Sequence, residues 1–412
     1  MSENKPVDST QIQNLQNFVL DALEVVEFKL IRFKEDVEDD SLKFSPLMAH
    51  QIFGESESIF GYENLKVKVL YTAGPLQIYI GIKYDKKVED ISNGDIKADD
   101  IAGTIASKLP EGCYFVNLDE FLKTLDKADK FQPFGEKLSE HKTVDSEGNE
   151  RCFEIYHCDY KTPSFLKFFV RLETFVLWFV DAASYIDVDD PQWSYFVCYE
   201  KYKNHDGVFQ YAATGYTTVY EYYAYPQNIR PRISQMLVLP PFQKMRIGTK
   251  FIETIYKYYQ GQKSVIDITV EDPSEDFQRL RNFVDSQLCL ELDSFKKDLV
   301  KKGFSKDMIK EARERLKINP KQCRKVYEIL RLYYTNVYDV DEYKVYRLDV
   351  KKRLNAVYHK QLSDIKKMEK VNIDTQWMRA TLPTMEERLV QLHQEYTIVE
   401  NGYKHVVEKL KA

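Results

Sequence analysis

The sequence predicts a mixed α/β protein that combines an N-terminal α+β domain, an α/β core and a C-terminal helical region. Between Ile233 and Asp272 the pattern is typical of a strand, a short loop, a helix and a second strand. Alternating apolar segments separated by turn residues precede this stretch, and helices rich in Lys, Arg and Glu are predicted beyond Pro273. Because 412 residues exceed what one core usually holds, we expect domains at 1–130, 131–272 and 273–340, followed by a partly basic helical tail at 341–412.

The N-terminal domain is predicted to contain both helices and strands. Apolar residues have helical spacing from Gln11 to Val26. Strands are predicted at Leu65–Leu70 and Leu76–Tyr84, with Gly74-Pro75 as the turn between them. Further helices are expected at Asp99–Leu109 and Asn117–Asp129, and the polar segment 142–151 is interpreted as a loop or hairpin turn.

A strongly apolar helix is predicted after Thr162-Pro163, where Thr162 would be the N-cap and proline takes a position in the first turn. Its body, SFLKFFVRLETFVLWFVDAASYI, is apolar on nearly every side, so we expect it to be buried. Asp181 falls within its last turns. Because burying a charge is costly unless the charge is paired, Asp181 is expected either to have a structural partner or to be functional.

The next strands are predicted to form an antiparallel meander. Asp206-Gly207 between alternating segments indicates a hairpin, and a third strand stops at Pro240-Pro241 because proline cannot donate to a sheet. Helical spacing from Thr249 to Tyr259 then leads to a strand at Val265–Val270, which should run parallel to the third strand. The turn at the start of this helix offers free backbone N–H groups, which favour an anion such as phosphate.

Charge and composition narrow the possible functions. A net charge of −6 and a pI near 5.8 argue against a general nucleic-acid binder and suit a basic partner. The six cysteines include no Cys-x-x-Cys pair, which predicts neither a zinc ribbon nor a disulfide framework and favours a reducing compartment. The start, MSENKPVDST, does not resemble a signal peptide, and the most apolar window, Phe165–Ile186, carries too many charges for a membrane span. We therefore expect a soluble protein.

Common catalytic motifs are missing from the sequence. It contains no Walker A motif, no His-Glu-x-x-His and no Gly-x-Ser-x-Gly, and its seven histidines never have metal-ligand spacing, so no metal is expected. What remains is the Gln243–Gly248 loop at a helix N-terminus, together with carboxylates at the ends of neighbouring elements. Glu271 and Asp272, at the end of the last predicted strand, are the most prominent of these.

The strand, the loop and the following helix resemble the acetyl-CoA motif of the GNAT acyltransferase superfamily. Longer segments resemble the family of type B histone acetyltransferase catalytic subunits: SYIDVDDPQWSYF, TGYTTVYEYYAYP, RPRISQMLVLPPFQ and DITVEDPSEDFQRLR. The similarity runs from about residue 28 to about residue 334. It implies a GNAT-fold histone lysine N-acetyltransferase that moves acetyl from acetyl-CoA to the N-terminal tail of newly synthesised, soluble histone H4. It also implies a WD40-repeat histone chaperone as partner, residence in cytoplasm and nucleus, and no membrane or direct nucleic-acid binding.

The resemblance also implies roles for individual residues. The strand that holds the acetyl and pantetheine part of acetyl-CoA matches Met236, Leu237 and Val238, and the pyrophosphate loop matches Gln243, Lys244, Met245, Arg246, Ile247 and Gly248. The general-base region matches Glu271, our first choice, and Asp272, while Asp181 matches a further acidic position. Contacts with the histone tail are expected from Glu55, Glu57, Tyr220, Glu221 and Tyr222. A base is needed because the lysine ammonium, with a pKa of about 10.4, must lose a proton before its nitrogen attacks.

Two residues depart from the family pattern. Arg246 stands where the family has the first glycine of its loop, so coenzyme binding is either weakened or assisted by the guanidinium. Asp181 stands where a glutamate is expected, which puts its direct catalytic role in doubt. Two alternative functions follow: a non-catalytic histone-binding subunit with a degenerate coenzyme loop, or a GNAT acyltransferase for other basic proteins or polyamines.

Overall fold

The computed structural model describes residues 15–92, 95–128, 130–371 and 373–412. It divides the chain into two compact units. The first unit contains the described residues up to Tyr222 together with Arg232–Ile255, and the second contains Tyr223–Pro231 and Tyr256–Ala412. Among the described helices, none has the length and apolar character that crossing a membrane requires. The predicted mixed α/β class with a helical C-terminal region is confirmed.

The N-terminal part of the first unit contains the strands β1 Val19–Asp21, β2 Val26–Ile31, β3 Ser58–Phe60, β4 Tyr62–Glu63, β5 Lys66–Thr72, β6 Ile78–Lys83, β7 Lys86–Lys87 and β8 Tyr114–Phe115. Its helices are α1 Ala22–Val25, α2 His50–Phe53, α3 Val88–Ile91, α4 Ile101–Ala106, α5 Leu118–Lys123 and α6 Leu125–Ala128. Four of the strands form one sheet with the order β2-β5-β6-β8. In this sheet β2 pairs with β5 and β6 with β8 in parallel, whereas β5 and β6 are antiparallel.

The two strands expected around the Gly74-Pro75 turn are confirmed as β5 and β6. The helix predicted at Gln11–Val26 is wrong for most of its described part, and its first residues, 11–14, lie outside the described residues. There the chain forms β1, the single turn α1 and the start of β2. The apolar side chains of β2 are buried in a parallel ladder with β5, so sheet pairing overrides a spacing that also suits a helix.

The second sheet of the first unit is the predicted meander, extended by a hairpin. Its strands follow one another in chain order: β9 Glu136–Val144, β10 Glu150–Asp159, β11 Trp193–Lys203, β12 Phe209–Ala224 and β13 Asn228–Val238. The Asp206-Gly207 hairpin is confirmed, with the Asn204 N–H donating to the Val208 carbonyl at 2.9 Å. The segment 142–151 contains the turn of the β9–β10 hairpin, whose long strands were not predicted.

The apolar helix is buried as expected but is shorter and broken. It consists of α7 Phe165–Leu172, a 3₁₀ turn at Glu173–Phe175 and α8 Val176–Phe179. The chain leaves the helix at Val180, which is extended, so the prediction that it reaches Ile186 is wrong. Thr162 is not the N-cap, because its hydroxyl bonds the Asp159 carboxylate and Ser164 precedes the helix. Asp181 lies beyond the helix with 79% of its side chain exposed, which contradicts the expected burial.

The central strand, loop, helix and strand are present in the predicted order. Strand β13 ends just before the prolines, and α9 spans Ile247–Gln260. The final strand is shorter than predicted: β14 is Thr269–Val270, while Val265 makes an isolated parallel bridge to Ile229. Between them Asp267 is buried and accepts hydrogen bonds from Arg230 and Arg313, and the Ile268 N–H donates to the Lys317 carbonyl at 2.8 Å instead of extending the strand. The parallel direction is confirmed.

The second unit is mainly helical, as expected from its sequence. Its further helices are α10 Glu275–Cys289, α11 Lys297–Lys302, α12 Lys306–Leu316, α13 Pro320–Tyr334, α14 Val340–Leu354, α15 Ala356–Lys370, α16 Gln376–Thr381 and α17 Met385–Lys411. Ile329, Tyr346 and Tyr403 belong to an apolar core between α13, α14 and α17. The buried Glu328 carboxylate accepts from Arg324, Arg353 and Tyr403, so its charge is paired.

Candidate functional site

The predicted coenzyme strand, Met236–Val238, is the last part of β13. Gly215 of the neighbouring β12 faces it so closely that an added Cβ would lie 2.3 Å from the Leu237 carbonyl oxygen. One residue before Gly215, the pairing of β12 with β11 shifts register, and the Thr214 hydroxyl donates to the Cys198 carbonyl at 3.0 Å. Such a bulge bends a sheet locally. Because Gly215 has no side chain, β12 can approach the backbone of β13 closely at this point.

The predicted pyrophosphate loop follows with an unusual backbone. Lys244 and Arg246 both have left-handed conformations, with φ values of 64° and 62°. Residues other than glycine adopt this region rarely because their Cβ crowds the following carbonyl. The loop therefore takes at Arg246 a conformation that glycine would adopt without strain. The Gln243 side chain donates to the Val238 carbonyl at 3.0 Å and fastens the loop to the end of β13.

Positive charge gathers around this loop. Lys244 and Arg246 are exposed, and Lys250 lies in the first turn of α9. The pKa of His141 is lowered, first by burial and then by the charge of Lys250, which favours a neutral imidazole. The first N–H groups of α9 have no acceptor within the helix, and the helix dipole is positive at this end. This combination suits a diphosphate.

The structure brings together two predicted acidic residues, Asp181 and Glu57, on either side of His50. The His50 Nε2 lies 3.4 Å from Asp181 Oδ1, and its Nδ1 lies 3.5 Å from Glu57 Oε1. Glu57 Oε1 also accepts from the N–H groups of Ala49 and His50. The Ala49 bond above all lowers the pKa of Glu57. Glu57 thus fixes the start of α2, a structural role that its sequence position did not reveal, and His50 was not predicted at all.

The predicted tail-contacting tyrosines lie together on β12. The rings of Tyr220 and Tyr222 are 4.6 Å apart, and the Arg232 guanidinium stacks 4.6 Å from the centre of the Tyr222 ring. The Tyr220 hydroxyl donates to Asp190 at 2.8 Å. Glu221, between them, is held through its backbone N–H, which donates to the Gln192 carbonyl. Glu55 is exposed in the loop after α2.

The two remaining predicted carboxylates belong to the second unit. Glu271 and Asp272 follow directly after β14, and both are exposed. Asp272 has a φ of 26°, an uncommon value for a residue with a side chain, and Pro273 follows it. The chain therefore turns sharply at the end of the strand and leaves both carboxylates at the surface of this unit.

Glu173 is a buried carboxyl group that the sequence-based site omitted. Its side chain has an exposed fraction of 2%, in the 3₁₀ turn between α7 and α8. Burial raises its pKa from the ordinary 4.5 to about 7, against the opposing hydrogen bonds from the Ile186 N–H and the Gln235 side chain. Its position inside a run of apolar residues is a signal in the sequence, whereas the predicted site contains Asp181 from the same run. Of the two, Glu173 is the buried one.

Other features of the first unit do not coincide with these residues. An open cavity of about 600 Å³ is lined by Leu109, Tyr114, Phe115 and Glu120 among others, and none of the predicted site residues lines it. Glu140, Cys152 and Glu154 are spaced closely enough to hold a metal ion. The Glu154 carboxylate, however, already accepts from the ammonium groups of Lys137 and Lys201.

Comparison with known proteins identifies the family. Residues 18–181 match the family model described as histone acetyl transferase HAT1 N-terminus, and residues 281–332 match histone acetyltransferase type B catalytic subunit, C-terminal. The human histone acetyltransferase type B catalytic subunit is 41% identical over 391 residues, covering 93% of this chain and 92% of the human protein. A Dictyostelium discoideum protein of the same description is 32% identical over 83% of this chain and 72% of its own length.

Similarity to solved structures is weaker. An aminoglycoside acetyltransferase from a soil metagenomic sample is 18% identical, covers 31% of this chain and 83% of its own, and has a TM-score of 0.24. A score this low carries no argument, so the assignment rests on the sequence relatives and the family models. On that evidence the chain belongs to the family of histone acetyltransferase type B catalytic subunits.

Proposed function

We propose that this acetyltransferase transfers acetyl from acetyl-CoA to lysine side chains in the N-terminal tail of newly synthesised, soluble histone H4. The observation that carries the proposal is the 41% identity over 93% of the chain to a histone acetyltransferase type B catalytic subunit. The net charge of −6 supports it, because an acidic protein attracts a basic tail. A WD40-repeat histone chaperone as partner, and residence in both cytoplasm and nucleus, belong to the same proposal.

The coenzyme is proposed to lie along Met236–Val238 with its diphosphate at Gln243–Gly248. Three features support this position: the close approach of β12 at Gly215, the left-handed turns at Lys244 and Arg246, and the start of α9. Backbone N–H groups and nearby cations supply what a diphosphate requires. The guanidinium of Arg246 is exposed and adds to the positive charge of the loop.

The reaction is proposed to be a direct attack by the lysine amine. A carboxylate takes one proton from the ammonium, the nitrogen attacks the thioester carbon, and the carbon–sulfur bond breaks to release the CoA thiolate, which is neutralised by the second proton that the nitrogen loses. Glu271 is the proposed base, with Asp272 and Asp181 as supporting carboxylates. The match to the family and the exposure of Glu271 at the end of β14 support this choice. A backbone N–H of the Met236–Val238 strand would stabilise the oxyanion.

The tail is proposed to contact Glu55, Glu57, Tyr220, Glu221 and Tyr222. The paired rings of Tyr220 and Tyr222 offer an aromatic surface for the aliphatic stems of lysine and arginine. Tyr222 already stacks with the Arg232 guanidinium, so it can accept a cation over its ring. Glu57 can contact the tail only while its Oε1 continues to accept from the Ala49 and His50 N–H groups at the start of α2.

Two measurements distinguish this proposal from its alternatives. Calorimetric titration of the folded protein with acetyl-CoA should give saturable binding, whereas a non-catalytic histone-binding subunit would give none. Transfer assays with equal concentrations of an H4 tail peptide and spermidine should give acetylated peptide in excess. Preferential acetylation of the polyamine would contradict the histone assignment while leaving the acetyltransferase intact.

A further inference from the structure

Glu173 lies at the junction of two parts of the first unit that carry predicted site residues. Its Oε1 accepts a hydrogen bond from the Ile186 N–H at 2.7 Å, in the segment that follows Asp181. Its carboxylate also interacts with the side chain of Gln235, the residue directly before the Met236–Val238 strand. Because only 2% of Glu173 is exposed, it acts on its surroundings through these two neighbours and not by touching a substrate.

Gln235 connects the segment after Asp181 with strand β12 through its hydrogen bonds. Its amide Nε2 donates to the Ser184 carbonyl at 2.8 Å, and its Oε1 accepts from the Tyr216 hydroxyl at 3.0 Å. Its backbone N–H donates to the Thr218 hydroxyl at 3.0 Å. Every polar atom of the Gln235 side chain is thereby oriented, so a change at Glu173 reaches β13 directly.

We propose that Glu173 is a positioning residue that sets the alignment of the Met236–Val238 strand against the Asp181 segment through Gln235 and Ile186. This inference rests on the proposed acetyl-CoA site. As a carboxylate, Glu173 accepts from the Ile186 N–H and interacts favourably with the Gln235 side chain. Once protonated, it carries an O–H donor and has less acceptor capacity, which weakens its interactions with Ile186 and Gln235.

Three tyrosines interact with the charge of Glu173, and none of them titrates near neutral pH. They are Tyr185 after the helix, Tyr195 on β11 and Tyr216 on β12. Burial raises the pKa of each of these tyrosines far above the physiological range. The pKa of Glu173 itself is raised to about 7, so its charge changes between pH 6 and 8 while theirs do not.

The test compares coenzyme affinities of the full chain across pH. Dissociation constants for acetyl-CoA are measured by calorimetry from pH 6 to pH 8.5 for wild type, Glu173→Gln and Glu154→Gln. Ratios to wild type cancel the titration of the coenzyme's own phosphates. The Glu173→Gln ratio should be near one at pH 6 and rise about threefold or more by pH 8, which corresponds to about half a pKa unit of coupling.

Glu154→Gln is the matched control, because it makes the same change at a glutamate that is 1% exposed. Burial opposes ionisation of Glu154, but hydrogen bonds from the Lys137 ammonium and the Tyr156 hydroxyl help to lower its pKa nevertheless, so its ratio should not vary with pH. Gln235→Met removes the link from the strand side and should weaken binding at pH 8 more than at pH 6. A Glu173→Gln ratio that is flat with pH overturns the positioning role alone. Absence of acetyl-CoA binding by folded wild type overturns the proposed function as well.

Discussion

Replacing Gly215 by alanine should disturb the coenzyme strand at a single defined point. The new Cβ would lie 2.3 Å from the Leu237 oxygen and 3.0 Å from the Val238 Cα, whereas ordinary contacts begin at 3.4 Å. The carbonyl must therefore retreat by about 1 Å in a sheet where both neighbours are backbone. Overpacking of this kind costs about 1 to 3 kcal/mol.

The expected result is a lower urea midpoint for the first unit, by roughly 1 M at a typical slope of about 2 kcal/mol per M. The measurement uses a Trp377→Phe background, so that fluorescence reports Trp178 and Trp193, both in the first unit. Acetyl-CoA affinity should fall together with the midpoint, because the displaced carbonyl belongs to the proposed binding strand.

Gly402→Ala is the control for this substitution. Gly402 lies within α17, and an added Cβ would meet nothing within 4 Å. Since alanine is favoured over glycine in a helix by about 1 kcal/mol, this variant should be at least as stable as wild type. If Gly215→Ala unfolded at the wild-type midpoint and bound acetyl-CoA equally well, the close approach of β12 to Leu237 would be refuted.

Three further substitutions test the site. Glu173→Gln should stabilise the fold increasingly as pH rises from about 4.5 to about 7, because the raised pKa means that ionisation opposes folding. The free energy of unfolding, obtained from urea titrations, should exceed that of wild type by at most about 3 kcal/mol above pH 7. An equal difference between variant and wild type at pH 4 and pH 8 would contradict this. Arg246→Gly should gain about 1 kcal/mol of stability by removing a left-handed side-chain residue. It should weaken acetyl-CoA binding by no more than about threefold, because the exposed guanidinium adds only general positive charge to the loop. A tenfold loss would instead show that the guanidinium bonds the phosphate directly. Glu271→Gln should lower turnover and flatten its pH dependence with coenzyme affinity unchanged, and a fully active variant would exclude Glu271 as the base.

The predictable features of the fold are those set by local chemistry. Pro240 and Pro241 end β13 wherever the rest of the chain lies, and Asp206-Gly207 forms its hairpin through its own backbone preferences. The start of β2 has apolar residues that fit a helix as well as a strand, and only pairing with the distant β5 decides between them. The interruption before β14 likewise involves a partner distant in sequence, because the Ile268 N–H donates to the Lys317 carbonyl.

The site residues also divide into features that local sequence predicts and features that depend on tertiary packing. The position of the Gln243–Gly248 loop between a strand and a helix could be deduced from spacing. The left-handed backbone at Arg246 could not, since arginine rarely adopts that conformation and only the glycine of the family pattern pointed to it. Asp181 and Glu173 share one apolar run, and the run alone does not tell which is buried. The helix break after Phe179 exposes Asp181 and leaves Glu173 inside, a consequence of tertiary packing. The approach of His50 to Asp181 and Glu57 is also a long-range outcome.

The most direct test of the proposed activity is acetyl transfer to the H4 tail. Purified full-length protein is incubated with acetyl-CoA and an H4 N-terminal tail peptide, with and without a WD40-repeat histone chaperone, and the products are analysed by mass spectrometry. We expect a mass increase of one acetyl group on lysine, which wild type produces rapidly and Glu271→Gln produces slowly. Folded wild-type protein that binds acetyl-CoA yet leaves every tail lysine unmodified would contradict it.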